Sequence, residues 1–128
     1  MTFARYWMHN GFLNIDNKKM SKSLGNFFTV WEIGEKYDLQ VLSFFMLSAH
    51  YRSPLNFSAE LMEASKNGLD RILTGVEKLK ELEEKAAAGT MSAAELENQK
   101  KAMELVEKYE AAMEDDFNTA DAVSAVFE

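Results

Sequence analysis

The stretch NKKMSKSLGNFFTVWE, residues Asn17–Glu32, decides how the rest of the chain is read. Its first part is a polar connection, 17–26, with two ammonium groups three residues apart, Lys19 and Lys22. The hydroxyls of Ser21 and Ser23 lie between and after them, and Gly25 follows as a candidate hinge. Its last part, Thr29-Val30-Trp31-Glu32, fits the S/T-x-x-E capping box, in which the two side chains satisfy each other's backbone N–H groups, and predicts a helix over roughly 29–37. Upstream, YWMHNGFLNID (6–16) is aromatic and apolar and is interrupted at Asn10-Gly11. Asn-Gly is the strongest two-residue hairpin signal, so this segment reads as a short strand or hairpin. A mobile cationic loop between a strand and a capped helix suits a reaction from which pyrophosphate departs. Preorganised cations stabilise the charge that builds on phosphate oxygens, and loop movement lets product leave. The plainer reading is a solvated Lys/Ser turn.

Outward from this stretch the chain becomes helical. Asp38 is placed to cap a second helix, 39–49, expected to be largely buried with Leu39, Leu42, Phe45, Met46 and Ala49 on one face. The single proline, Pro54, sits in YRSPLNF, an extended connector. Ser58 reads as the N-cap of a long helix with Glu60 near its positive end, and Leu69, Ile72, Leu73, Val76 and Leu79 recur at helical spacing. AAAGT, 86–90, supplies a Gly stop. Ser92 and Glu95 form another capping box, followed by a stripe of Leu96, Met103, Val106 and Met113. Two long helices near 58–87 and 92–115 with a short link predict an antiparallel helical hairpin. Beyond Asp115-Asp116-Phe117, Asn118 or Thr119 caps a third helix bearing Ala122, Val123, Val126 and Phe127. That helix lacks a terminator at Glu128, and the N-terminal strand needs a sheet, so the chain reads as an internal piece with both ends cut. Phe3, Tyr6, Trp7 and Phe12 at one end, and Val123, Val126 and Phe127 at the other, are then expected to be exposed and to promote self-association.

Composition narrows the function classes. An apolar share of 47% with 27% charged residues is that of a soluble globular protein. The longest nearly apolar stretch, Val41–Ala49, is about half of a membrane-spanning helix. The opening MTFARYWMHNGF does not have the form of a signal peptide. The expected location is therefore cytoplasmic, with no membrane partner. Absence of cysteine removes disulfides, thiolate ligands and a Cys nucleophile, and His9 and His50 are too far apart for a His-rich metal motif, so no metal site is expected. The net charge of −7 is unevenly placed: residues 1–57 balance at +2 and residues 58–128 at −9. The acidic half repels phosphate backbones, so any anion site lies in the first half. The eight methionines suit core gap filling, and Glu81–Lys85 is a solvated charged face. Arg52 is the main first-half cation outside the loop; a structural ion pair and an RNA contact both remain open for it.

All five residues of Lys19–Ser23 match KMSKS, the second signature of the class I aminoacyl-tRNA synthetases. YWMHNG, KMSKSLGNFFTV, HYRSPLNFS and EDDFNTADA, in that order, resemble the cysteinyl-tRNA synthetases over nearly the whole chain, most weakly over 75–112. The resemblance implies a mainly α fold. Residues 1–28 would be the end of a Rossmann-type catalytic nucleotide-binding domain with its KMSKS loop. Residues 29–57 would be a stem-contact-like linker, and 58–128 the truncated start of a helical tRNA-binding bundle. The resemblance further implies ATP-dependent activation of cysteine and its transfer to tRNA(Cys). Mg-ATP is the substrate, Lys22 contacts its phosphate, Lys19 supports Lys22, and Ser21 and Ser23 fix the loop. The HIGH signature is absent, so the chain alone is expected to be inactive. The family's zinc ion has ligands outside this chain, and His9 is given a packing or hydrogen-bonding role. Trp31 and Ser43 depart from the family, which commonly has a basic residue there; neither can pair with RNA phosphate. Two other readings are a paralogue that transfers cysteine to an amino sugar and a non-catalytic acidic helical interaction module.

Overall fold

The computed structural model describes residues 3–86 and 89–128. Its helices begin where a side chain can satisfy their first free N–H groups. Thr29 opens α1 (Val30–Gly34) through a reciprocal box: the Thr29 N–H donates to Glu32 Oε2 at 2.6 Å and the Glu32 N–H to Thr29 Oγ1 at 3.3 Å. Ser92 and Glu95 repeat this at α4 (Ala93–Glu114). In both boxes the backbone N–H donated to the carboxylate is the chief reason that its pKa lies below the ordinary range. Asp38 caps α2 (Leu39–Leu47), Ser58 caps α3 (Ala59–Lys85), and Asn118 rather than Thr119 caps α5 (Thr119–Phe127). Helix dominates the described residues.

The strand segment finds its sheet within the chain. β1 (Leu13–Ile15) lies between β2 (Lys18–Lys19) and β3 (Leu55–Phe57), antiparallel to the first and parallel to the second. The register Leu13↔Leu55, Asn14↔Asn56, Ile15↔Phe57 turns what reads as an extended connector after Pro54 into a strand. The hairpin turn is Asp16-Asn17, not Asn10-Gly11. Both turn residues are left-handed, φ 49° and 61°, the combination a two-residue hairpin needs. Gly11 serves a different purpose. Its N–H donates to Tyr51 O at 2.7 Å, and a Cβ at this position would lie 2.3 Å from Ser53 O, so glycine is required by close backbone approach.

The sheet and two helices share a small core. Val41 and Phe45 of α2 and Met62 of α3 are buried, with Tyr37, Leu42, Leu55, Phe57 and Leu69 packed around them. Phe57 meets Phe45 edge-on at 5.8 Å and Phe28 at 4.7 Å, which seats β3 on the helices. The buried edge of α2 is therefore Val41/Phe45; Leu39 and Met46, expected inside, are about half exposed. The cause is which side the sheet and α3 occupy, and periodicity alone does not choose it.

α3 and α4 occupy nearly the predicted ranges. The principal helix packings are α2 on α3 and α4 on α5. α3 stops at Lys85 with Ala86 in extended conformation, before the predicted Gly stop. Ala87 and Ala88 of that stop lie outside the described residues. The end of the α3 stripe and the start of the α4 stripe face solvent: Leu79, with Leu82 beyond it, on α3, and Leu96 and Met103 on α4. Phe3, Tyr6, Trp7, Phe12 and Val126 are likewise exposed, while Val123 is half-buried and Phe127 lies at the border of exposure.

Candidate functional site

The hairpin delivers Lys19 at the end of β2, and one further bond, Met20 N–H to Leu13 O at 3.1 Å, carries the pairing past it. Ser21 is extended, and residues Lys22–Leu24 then make a single 3₁₀ turn. That turn is closed by N–H bonds from Leu24 to Ser21 O and from Gly25 to Lys22 O, both 3.2 Å. Gly25 reverses the chain at φ 67°, a conformation that costs glycine little. Asn26 then folds back. Its Oδ1 accepts from the Ser21 N–H at 2.9 Å and its Nδ2 donates to Lys19 O at 3.3 Å. At the base of the hairpin the Asn56 Oδ1, on β3, accepts the Asn17 N–H at 2.7 Å.

Lys19, Ser21, Lys22 and Ser23 are thus gathered on one short loop. The Ser21 and Ser23 hydroxyls share a hydrogen bond of 2.8 Å. The ammonium groups rest on aromatic faces: Lys19 Nζ lies 4.0 Å from the Phe12 ring centroid and Lys22 Nζ 5.2 Å from that of Phe27. Among the described residues neither lysine takes part in a salt bridge. Two exposed ammonium groups without carboxylates, flanked by hydroxyls, form an arrangement able to receive an anion. Phe12, Phe27, Asn26 and Asn56 are the participants that sequence reasoning does not find. For Asn26 the available signal is its position just past the Gly25 reversal; Asn56 has none, because its place opposite β1 depends on a long-range pairing.

The structure gives Arg52 an ion pair. Its Nε lies 2.7 Å from Asp116 Oδ2 and its Nη2 donates to Oδ1 at 3.2 Å; the Tyr51 hydroxyl donates to the same Oδ1 at 2.8 Å. His50 stacks on Tyr51 and places Nε2 3.7 Å from Oδ2. The Tyr51 hydrogen bond chiefly, with Arg52 adding to it, holds the Asp116 carboxyl below the ordinary carboxylate range. Asp116 and Phe117 both have left-handed backbone, φ 55° and 56°, unusual for a bulky aromatic residue. Thr119 Oγ1 donates to Ala49 O at 3.4 Å, adding a second tie between the same segments.

Of the two departures, Trp31 is exposed and Ser43 donates its hydroxyl to Leu39 O of its own helix at 2.9 Å. His9 stacks on Trp7 with ring planes 11° apart. Among the described residues no group of three or more His, Cys, Asp or Glu is placed to hold a metal ion, and no helix is long and apolar enough to cross a membrane.

Comparison with known proteins gives a consistent result. The family described as tRNA synthetases class I (C) catalytic domain matches residues 1–67, and the DALR domain family matches residues 108–128. A cysteine–tRNA ligase of Lachnospira eligens is 62% identical over 98% of this chain and 27% of its own length. Ligases of the same name from Lachnoclostridium phytofermentans and Clostridioides difficile are 57% and 50% identical, over 98% and 99% of this chain. The chain spans about a quarter of the length of these curated relatives.

Proposed function

Because the chain belongs to the class I (C) tRNA synthetase catalytic-domain family, we propose that it is the part of a cysteine–tRNA ligase that closes over ATP during activation of cysteine. The observation that carries this is the loop itself: two unneutralised ammonium groups, Lys19 and Lys22, on a turn held by Ser21 and Asn26, within a segment 62% identical to such a ligase. In the intact enzyme cysteine attacks the α-phosphate of Mg-ATP to form the adenylate, and pyrophosphate leaves. Lys22 follows the charge that develops on the departing phosphates, and Lys19 supports it. The Ser21–Ser23 hydroxyl pair shapes the turn. Each ammonium exchanges a weak aromatic contact for a phosphate, so closing the loop requires breaking no ion pair. Transfer to tRNA(Cys) follows, in the cytoplasm.

The organisation proposed is that of the family. Residues 1–28 complete a Rossmann-type catalytic domain and 29–57 form the linker that meets the acceptor stem. Residues 58–128 begin the helical tRNA-binding bundle, with α3 and α4 as an antiparallel hairpin. The order of the two family matches and the shift of charge from +2 to −9 support this division. The ligase names of the relatives favour this reading over transfer to an amino sugar or a non-catalytic module. Residues of this chain do not fit a zinc site, since cysteine is absent and no suitable group occurs among the described residues. The exposed aromatic N-terminus is proposed to mediate self-association of the isolated chain, which light scattering tests.

The test of function is cysteine-dependent ATP–pyrophosphate exchange by the intact enzyme. Exchange with cysteine, and none with serine, is expected; the 128-residue chain alone is expected to show none. An intact enzyme that does not exchange with cysteine would refute the reading.

A further inference from the structure

We propose that Asn26 is a positioning residue for the activation step, its carboxamide fixing the backbone from which Lys22 projects. This rests on the ligase reading above. The regular pairing of the hairpin ends with the Met20 N–H, and Ser21 is left extended with no strand opposite it. Its N–H would otherwise depend on water. The Asn26 side chain supplies the missing partner, accepting from Ser21 N and donating to Lys19 O. One planar amide thereby does what a neighbouring strand would do for two residues.

The arrangement places constraint and freedom at different points. Asn26 is half-buried, whereas Lys19, Lys22 and Ser23 are exposed. The 3₁₀ turn that carries Lys22 has Ser21 as its N-cap, and Ser21 makes no side-chain capping bond to it. The two 3.2 Å bonds of the turn and the Ser21–Ser23 hydroxyl bond act within residues 21–25, and the Asn26 side chain ties that turn back to Lys19 and Ser21. A long lysine side chain reaches one place reproducibly only if its Cα is held. Misplacement of a charge-stabilising group by about 1 Å can cost about a hundredfold in rate. Asn26 itself need touch neither ATP nor cysteine; it acts through Lys22.

The experiment measures cysteine-dependent ATP–pyrophosphate exchange and thermal unfolding for the intact ligase and for Asn26→Ala, Lys22→Ala and the double variant. Asn26→Ala is expected to lower kcat by about ten- to a hundredfold, leaving Tm and the KM for cysteine unchanged. In the Lys22→Ala background the same substitution should have almost no further effect, because the group it positions is already gone. A native exchange rate for Asn26→Ala overturns the proposal, and so does an effect that persists in full without Lys22. Hydrogen exchange of the Ser21 amide in the wild-type enzyme needs no variant: protection supports the clamp, and exchange at the rate of a free peptide overturns it. A wild type without any exchange activity overturns the ligase reading and this proposal together, an outcome distinct from failure of Asn26 alone.

Discussion

The loop at 19–26 and the cluster around Asp116 are both polar and both held by side-chain hydrogen bonds, yet they bridge different lengths of chain. The side-chain bonds of the loop join residues two to seven positions apart. Those of the cluster join Tyr51 and Arg52 to a carboxylate 65 and 64 positions away. Local bonds give a segment a shape while leaving it free to move without disturbing the packing elsewhere. Distant bonds tie two packed segments together, and here they connect the part matched by the catalytic-domain family to the part matched by the DALR family. Charge divides in the same way: the loop leaves its ammonium groups without carboxylates, and the cluster neutralises Arg52. One region suits meeting a ligand and the other suits holding the fold.

The contrast can be broken most directly at Lys22. In the intact ligase Lys22→Ala should slow adenylate formation by about 10²–10³-fold with Tm unchanged, as read from pre-steady-state pyrophosphate release. An unchanged rate with a raised KM for cysteine would remove the loop from the chemistry. Gly11→Ala should do the reverse and act on stability. Its new Cβ meets Ser53 O at 2.3 Å and forces the Gly11–Tyr51 bond apart. A loss of about 1–3 kcal/mol is expected in denaturant titration.

Asp116→Asn should lower Tm by a few degrees at neutral pH by removing the charge opposite Arg52 while leaving an acceptor for Tyr51. The folded-state pKa of Asp116 lies below its unfolded value, about 3.9, so its contribution is fully present above that value and is lost as pH falls through the folded pKa. The difference in Tm between wild type and variant should therefore hold from pH 7 to about 5 and shrink below about 4. A constant difference down to pH 3 would show that the ion pair is not its origin. The smallest effect is expected for Glu81→Gln. This breaks a local, solvated pair with Lys85 at 3.8 Å, and the change should stay within about 0.5 kcal/mol. It sharpens the comparison, since a local bond that shapes no loop should matter to neither rate nor stability.

What was legible in the sequence follows the same division. The caps at Thr29, Asp38, Ser58 and Ser92 are local chemistry, and the helices start where these residues predict. The signature loop is contiguous, so its residues could be named in advance. The parallel β1–β3 pairing could not be, because nothing near Leu13 specifies Leu55 as its partner. Gly11 is misread for the same reason: Asn-Gly carries a turn signal, but the backbone that demands a glycine arrives from Ser53 and Pro54. Asp16-Asn17 is a weaker turn signal that succeeds because β3 holds the strand on which it closes. Arg52 stays ambiguous until Asp116 is placed beside it, and the inward side of α2 depends on where the sheet lies. Asn26 lies within reach of local reasoning, yet its role appears only when the 3₁₀ turn and the left-handed Gly25 bring it back to Ser21.

The long separation between Arg52 and Asp116 also has a consequence for biosynthesis. The polypeptide leaves the ribosome N-terminus first, so β1, β2 and β3 can pair while the acidic helices are still being made. Asp116 follows Arg52 by 64 residues, which at about 5–20 residues per second is roughly 3–13 s of translation. During that interval Arg52 is a cation without its anion, and the left-handed turn at Asp116-Phe117 has not yet formed. Closure of the cluster therefore joins the segment that carries the three strands to the segment between α4 and α5 only after both have been made.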